Sequence, residues 1–195
     1  MSASDPRPGD ALLIVDVQND FVTGGCLAVQ GSDEAIAVLN RYIAAFRDRH
    51  LPILATRDWH PAGHFSFKMR GGVWPPHCIA GTHGAAFAPA LELPCDTVIV
   101  SKATTSEQEA YSGFEGTELC ARLRDLGVRR ILVGGVATEY CVLSTVHDAL
   151  RLGFQVLLLE DAVRAVDVAP GDGERAIEEM RRLGAKITRL ESVAA

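Results

Sequence analysis

A single cysteine stands where a strand pattern gives way to a helix pattern, in the segment GGVATEYCV at residues 134–142. If Thr138 begins the helix, the backbone N–H groups of its first turn have no partner inside the helix, and the positive end of the helix dipole lies beside Cys141. The dipole favours a thiolate, and the free N–H groups can hold a developing oxyanion. The segment is therefore typical of a nucleophilic cysteine, although most free cysteines are simply buried core residues.

Two charged residues follow other strand patterns and complete a set that suits nucleophilic catalysis. Asp16 follows ALLIV, and Lys102 follows TVIVS. In parallel α/β sheets, polar residues at the carboxyl ends of the strands surround the ligand site. We therefore predict that Cys141 is the nucleophile, that the Lys102 ammonium stabilises its thiolate, and that Asp16 accepts and donates the proton. Taken singly, Asp16 would be interpreted as a capping residue and Lys102 as a solvated surface residue.

The glycines of the cysteine segment raise a competing interpretation, a dinucleotide-binding turn between a strand and a helix. The fingerprint of such turns is GxGxxG, whereas Gly134 and Gly135 are adjacent here and no glycine follows them in the turn. The sequence therefore disfavours a dinucleotide site.

A carboxylate and several imidazoles are concentrated in two nearby segments, DWHPAGHFSF and WPPHCIAGTHG. Asp58 and His60 are two residues apart, so in an extended segment both side chains project to the same side, and His64 and His77 can fold back toward them. One carboxylate with two or three imidazoles suits one divalent metal ion, Zn²⁺, Fe²⁺ or Mn²⁺, with water in the remaining positions. The alternative is a set of loop histidines that only cap turns beside prolines.

The elements that must position these residues alternate along the chain. Short β-branched runs are predicted as strands at 11–17, 51–56, 96–101, 129–135, 155–160 and 186–190. Amphipathic segments are predicted as helices at 31–50, with Ser32 as its N-cap, and at 116–126, 138–152 and 173–183, with Gly184 as the stop of the last. Strand and helix in alternation predict a parallel α/β sheet with helices on both faces.

Length and composition place the chain among globular proteins. Its 195 residues are 48% hydrophobic and 23% charged, which fits a single domain over 1–195. The segment at about 57–95, rich in Gly, Pro and His, is predicted as an insertion with little regular structure, and long loops of that kind are often functional. The five cysteines are odd in number and lack CxxC spacing, so each is predicted to be a free thiol.

Charge and hydropathy exclude two classes of partner. The net charge is −6 and no cluster of Lys and Arg is present, which argues against a nucleic-acid partner. No apolar run approaches the ~20 residues of a membrane span, and the polar N-terminal segment lacks the pattern of a signal peptide. We therefore expect a cytoplasmic protein that acts on a small molecule and has no membrane partner.

Taken together, the motifs resemble one known family. VDVQNDF, DWHPAGHFSF, WPPHC, the SK pair that ends in Lys102, EAYSGFEGT and GGVATEYCV resemble, in this order, the nicotinamidase/pyrazinamidase branch of the isochorismatase-like cysteine hydrolases. The resemblance implies a Rossmann-like three-layer α/β/α fold with a six-stranded parallel sheet and a metal-binding loop insertion. It also implies an enzyme of NAD salvage that hydrolyses nicotinamide to nicotinic acid and ammonia through a cysteine thioester, and that accepts pyrazinamide.

The resemblance further implies the roles of individual residues. It identifies Asp16, Lys102 and Cys141 as a catalytic triad, and it implies a cis peptide before Ala137. The N–H groups of Ala137 and Cys141 would then form the oxyanion hole.

The resemblance also implies a metal site and a ring pocket. The metal would be held by Asp58, His60 and His77, with His64 as a candidate fourth ligand, because His64 aligns with a position that is a ligand in some members only. Family members often form homo-oligomers, and we expect one here on that ground alone. The aromatic positions of the family's ring pocket are matched by Phe21, Trp74 and Tyr111.

Two features depart from the family's pattern and keep other functions open. The segment KATTSEQEAY lacks the glycine that many relatives carry after the lysine, and Tyr140 stands where some relatives carry His. Both border the predicted pocket, so the alternative function is a related hydrolase that acts on another small amide or on isochorismate. A noncatalytic binding protein on the same fold is a third hypothesis, which the complete triad disfavours.

Overall fold

A six-stranded sheet organises the computed structural model, which describes residues 5–190; residues 1–4 and 191–195 of the predicted domain lie outside it. The strands are Asp10–Val15 (β1), Ile53–Asp58 (β2), Val98–Lys102 (β3), Arg130–Val136 (β4), Gln155–Arg164 (β5) and Lys186–Thr188 (β6). They lie in the order β3-β2-β1-β4-β5-β6, and every neighbouring pair is parallel. The predicted six-stranded parallel sheet is thus confirmed.

Helices cover both faces of the sheet. They are Ser32–Arg47 (α1), Leu119–Asp125 (α2), Leu143–Arg151 (α3) and Asp172–Leu183 (α4). Side chains alternate along β1, so Leu12 and Ile14 pack in the core cluster of α1, whereas Leu13 and Val15 pack in the cluster that α2, α3 and α4 share. Each such buried side chain contributes roughly 1.5–3 kcal/mol relative to an exposed one. The predicted three-layer α/β/α architecture is confirmed.

None of the helices within residues 5–190 combines the length and the apolar character that crossing a membrane requires.

Three helix starts differ from the predictions, and the simplest case is α2, which begins at Leu119 and not at 116. Ser32 is not the N-cap of α1: Gly31 takes that position with φ of 74°, and the buried Ser32 hydroxyl has no hydrogen-bond partner within residues 5–190. The cap moves back one residue because the chain enters α1 through a left-handed turn that glycine adopts most readily. The helix predicted at 138–152 begins instead with a π turn, Thr138–Val142, and becomes α-helical at Leu143.

The long connection between β2 and β3 has little regular structure, as predicted. Residues 59–97 contain one 3₁₀ helix, Lys68–Arg70, and isolated bridges pair His60 with Ile79 and Phe67 with Trp74. The first bridge folds the far part of the connection back beside the end of β2.

A bulge in β4 leads the chain into the cysteine turn. The register between β4 and β5 shifts between Val133 and Gly135. Gly135 has φ of 129°, and a Cβ atom there would collide with the backbone of Val15 in β1. A glycine is therefore required both by the backbone conformation and by the close approach of two strands.

We predict that Gly135→Ala lowers the free energy of unfolding by well over about 1 kcal/mol, because alanine meets both the φ penalty and the collision with β1. Gly127→Ala is the matched control, since Gly127 also has positive φ, at 68°, but nothing lies within 4 Å of its Cβ position. Urea denaturation of both variants measures the difference. Equal losses would show that the contact with Val15 costs nothing.

Candidate active site

Four polar residues meet at the carboxyl edge of the sheet. Asp16 follows β1, Asp58 and Lys102 end β2 and β3 as a register pair, and Cys141 lies in the π turn after β4. All four are buried, with Asp16 0% and Lys102 1% exposed. The structure thus brings together the three residues of the predicted triad and one predicted metal ligand.

The Lys102 ammonium lies at the centre of this group. Its Nζ is 2.9 Å from Asp16 Oδ2 and 3.5 Å from Cys141 Sγ, and it donates to Asp58 Oδ1. The carbonyl of Ala110 accepts a further hydrogen bond at 3.0 Å. Burial would lower the pKa of Lys102, but Asp16 and Asp58 hold it well above its usual value. The amine is therefore charged, and it links the cysteine to the predicted metal ligands, a contact that the sequence did not predict.

Burial controls the protonation of the acid and the thiol. It raises the pKa of Asp16, although Lys102 and the hydroxyl of Thr56, which donates to Asp16 Oδ1 at 2.7 Å, act in the opposite direction. It also raises the pKa of the Cys141 thiol well above its usual range, and the Lys102 ammonium offsets only part of this effect. Burial thus opposes the predicted thiolate and the Lys102 ammonium favours it, and the thiolate stays a prediction.

The conformation of Asp16 is also unusual. Its φ is 51°, in the left-handed region that few residues other than glycine occupy. Such conformations cluster at functional sites, where surrounding contacts hold them in place.

Gln18 holds Asp58 in position, and the sequence reasoning missed it. Its side-chain Nε2 donates to the carbonyls of Asp58 at 2.8 Å and Ala85 at 2.9 Å, and its Oε1 accepts from the Asp58 N–H at 2.7 Å. These bonds join the end of β1, the end of β2 and the long connection. An amide inside the largely apolar start of VDVQNDF was the available signal.

The predicted metal ligands form one cluster. The ligand atoms of Asp58, His60 and His77 lie within 4.8 Å of one another. His60 Nδ1 is 3.1 Å from the His77 carbonyl and His77 Nδ1 is 2.8 Å from the Pro75 carbonyl, which leaves each Nε2 available. His60 Nε2 is buried and has no hydrogen-bond partner within residues 5–190. Because a buried, unpaired nitrogen is costly, the arrangement fits a divalent metal ion.

His64 lies behind this cluster. Its ring centroid is 4.5 Å from that of His60, and both ring nitrogens have partners: Nδ1 with Ser66 Oγ at 2.7 Å and Nε2 with the Gln108 carbonyl at 2.9 Å. A role as fourth ligand would require one of these hydrogen bonds to break.

A cavity of about 310 Å³ opens onto both groups, since Cys141, Asp58 and His77 all line it. This volume lies at the small end of the range for ligand sites and suits a molecule of one ring. Tyr140 and Ala137 also line the cavity, and the peptide between Val136 and Ala137 is cis, as predicted. The predicted ring-pocket residues all contribute to its wall: Phe21, Trp74 and Tyr111.

The aromatic wall is internally braced. Trp74 Nε1 donates to the Tyr111 hydroxyl at 3.0 Å, and Trp74 packs edge-on against Tyr140 with 5.4 Å between ring centroids. Aromatic pairs of this kind contribute about 0.5–1.5 kcal/mol beyond their buried area. The cavity can therefore present fixed aromatic surfaces to a flat ligand.

Comparison with known proteins places the chain among characterised relatives. The isochorismatase domain model matches residues 10–192. The chain is 37% identical over 204 residues to the nicotinamidase of Escherichia coli (strain K12), covering 94% of this chain and 96% of that protein.

Two solved structures share the fold closely. The pyrazinamidase of Pyrococcus horikoshii in complex with zinc has a TM-score of 0.90 and 52% identity, covering 94% of this chain and 100% of that one. PnC1 from L. infantum in complex with nicotinate has a TM-score of 0.90 and 32% identity, covering 99% of this chain and 98% of that one.

We predict that Lys102→Met destabilises the protein by roughly 3–5 kcal/mol at pH 7, because it leaves two buried carboxylates without their cation. The deficit should shrink as the pH falls toward 5, since burial raises the pKa of Asp16 and its protonation removes uncompensated charge. Lys68→Met, at an exposed position, is the matched control and should stay within about 0.5 kcal/mol of wild type. Urea unfolding at several pH values measures both, and a Lys102→Met deficit independent of pH would contradict the charge argument.

Proposed function

The chain belongs to the isochorismatase family, and we propose that it is a metal-dependent nicotinamide amidohydrolase, which converts nicotinamide and water to nicotinic acid and ammonia. One observation carries this proposal: a buried cysteine with an acid and an ammonium, and a cluster fit for a divalent metal, open onto the same small aromatic cavity. A cysteine centre alone would suit many amides, whereas a metal beside it adds a second recognition point.

The relatives support the substrate. The E. coli relative is a nicotinamidase, and the L. infantum structure contains nicotinate, the acid that the proposed reaction would form. The P. horikoshii relative is a pyrazinamidase that binds zinc, which supports pyrazinamide as a second substrate and a divalent ion at Asp58, His60 and His77. When bound there, the ion, which can be Zn²⁺, Fe²⁺ or Mn²⁺, supplies a Lewis-acidic centre for the pyridine nitrogen.

The first half of the reaction uses the cysteine and the acid. The Cys141 thiol attacks the amide carbon while Asp16 takes its proton, and burial, which raises the pKa of Asp16, makes that carboxylate a stronger base. The N–H groups of Ala137 and Cys141 stabilise the oxyanion. Asp16 then gives the proton to the leaving nitrogen, the carbon–nitrogen bond breaks, and ammonia departs from a Cys141 thioester.

The second half releases the acid. Asp16 takes a proton from a water molecule, the resulting hydroxide attacks the thioester, and the carbon–sulfur bond breaks to give nicotinic acid. Asp16 returns the proton to the departing sulfur, which restores the Cys141 thiol and the Asp16 carboxylate. Lys102 stays charged throughout and balances Asp16 as its charge changes. Phe21, Trp74 and Tyr111 hold the ring by apolar and stacking contacts.

Ammonia release from nicotinamide, measured before and after chelation, tests the substrate and the metal together. We predict that chelation abolishes the release and that Zn²⁺, Fe²⁺ or Mn²⁺ restores it, because loss of the ion leaves the pyridine nitrogen without its partner. Circular dichroism of the chelated protein checks that the fold persists. Folded, metal-loaded protein that releases no ammonia would contradict the proposal and favour the related hydrolase that acts on another small amide or on isochorismate.

Cys141→Ala should lower turnover of nicotinamide by at least about a thousandfold, because no other group can form the thioester. Its metal content should match wild type, since Asp58, His60 and His77 are unchanged. Cys120→Ala, a partly buried position on α2 that is not in the cavity wall, is the control and should retain activity. Normal turnover by Cys141→Ala would refute the mechanism.

A further inference from the structure

A second carboxylate lies beside the metal-ligand cluster. Glu109 Oε1 is 3.9 Å from His60 Nε2, which is too far for a hydrogen bond and leaves that nitrogen, on a residue 1% exposed, without a partner within residues 5–190. The ligand atoms of Glu109, His60 and His64 also lie within 4.8 Å of one another. The Glu109 side chain lines the cavity together with Asp58 and His77. His60 therefore belongs to two sets of possible metal ligands, one with Asp58 and His77 and the other with His64 and Glu109.

The position of Glu109 is fixed by the same lysine that organises the cysteine. The carbonyl of Ala110 accepts a hydrogen bond from Lys102 Nζ at 3.0 Å, and the N–H of Ala110 donates to Glu109 Oε1 at 3.2 Å. The side chain is only 24% exposed. Glu109 is thus a positioned carboxylate and not a surface residue that happens to point inward.

The charges at the site explain what such a carboxylate would do. Asp58 forms an ion pair with Lys102, so the carboxylate of the predicted ligand set is already shared with a cation. Two neutral imidazoles add no charge. A divalent ion at this cluster would then lie near an ammonium, and the surrounding ligands would offer it little net negative charge. Glu109 supplies the missing negative charge.

We propose that Glu109 is a fourth protein group of the metal site, whose carboxylate binds the divalent ion or a water molecule on it. The inference rests on the metal site of the proposed function. With Glu109, three carboxyl groups, those of Asp16, Asp58 and Glu109, surround the ammonium of Lys102 and the divalent ion; without it, only two do. Glu109 therefore helps to set how tightly the ion is held.

Metal affinity, measured without substrate, tests this role. Metal-free wild type, Glu109→Gln and Glu109→Asp are titrated with Zn²⁺ in competition with a chromophoric chelator. We expect Glu109→Gln to bind the ion 10- to 100-fold more weakly, on the order found when supporting groups of metal ligands are removed. Glu109→Asp keeps the charge and should lose less. Glu107→Gln, an exposed glutamate two residues away that pairs with Arg70, is the matched control and should bind as wild type does.

The outcomes separate this inference from the proposed function. Wild-type affinity in Glu109→Gln, with ammonia release by wild type intact, would overturn the role of Glu109 alone. If Glu109→Gln binds Zn²⁺ more weakly than wild type, but the metal-loaded wild type releases no ammonia, the role of Glu109 is supported and the proposed function is refuted. A folded wild type that binds no Zn²⁺ would overturn both. Urea unfolding of the metal-free variants confirms that a change in affinity does not come from a damaged fold.

Discussion

The buried ammonium of Lys102 is the constraint on which the site depends. A cation removed from water is costly unless oppositely charged groups surround it, and here Asp16 and Asp58 supply them from two different strands. The partners can meet only because β1, β2 and β3 are parallel and in this register. The register of the sheet therefore determines the chemistry of the site. The Lys102 ammonium contacts the cysteine on one side and the metal ligand Asp58 on the other.

Asp58 is both the ion-pair partner of Lys102 and a predicted metal ligand, and hydrogen bonds from nearby residues hold its backbone in place. The Gln18 side chain accepts a hydrogen bond from the N–H of Asp58 and donates one to the Asp58 carbonyl. The same side-chain amide donates to the carbonyl of Ala85 in the long connection. Asp20 adds a second tie, because its Oδ2 accepts from the N–H of Cys78 at 2.7 Å, next to His77. A connection without regular structure can thus present imidazoles at fixed positions, because its anchors lie on the segment that follows β1.

The parts of this arrangement that follow a repeating pattern could be predicted from the sequence. The apolar runs indicated the strands, and polar residues at their ends indicated Asp16, Lys102 and Cys141. Glu109 and Gln18 could not be found in this way, since neither a loop nor a lone buried amide has a period. The sequence also could not show how strongly burial raises the pKa of the Cys141 thiol, because that effect depends on the packing around the sulfur. The cap of α1 was misplaced because Gly31 adopts a turn that a serine preference cannot reveal.

The position of β3 in the sheet has a consequence for how the molecule opens. β3 is an edge strand of five residues that pairs only with β2 within the described chain, and only its third and last residues are buried. Its last residue is Lys102, so the ion pairs fix the end of an edge strand. Edge elements exchange their amide hydrogens through local openings that cost less than global unfolding. We therefore expect hydrogen exchange at the amides of β3 to depend on the ion pairs of Lys102.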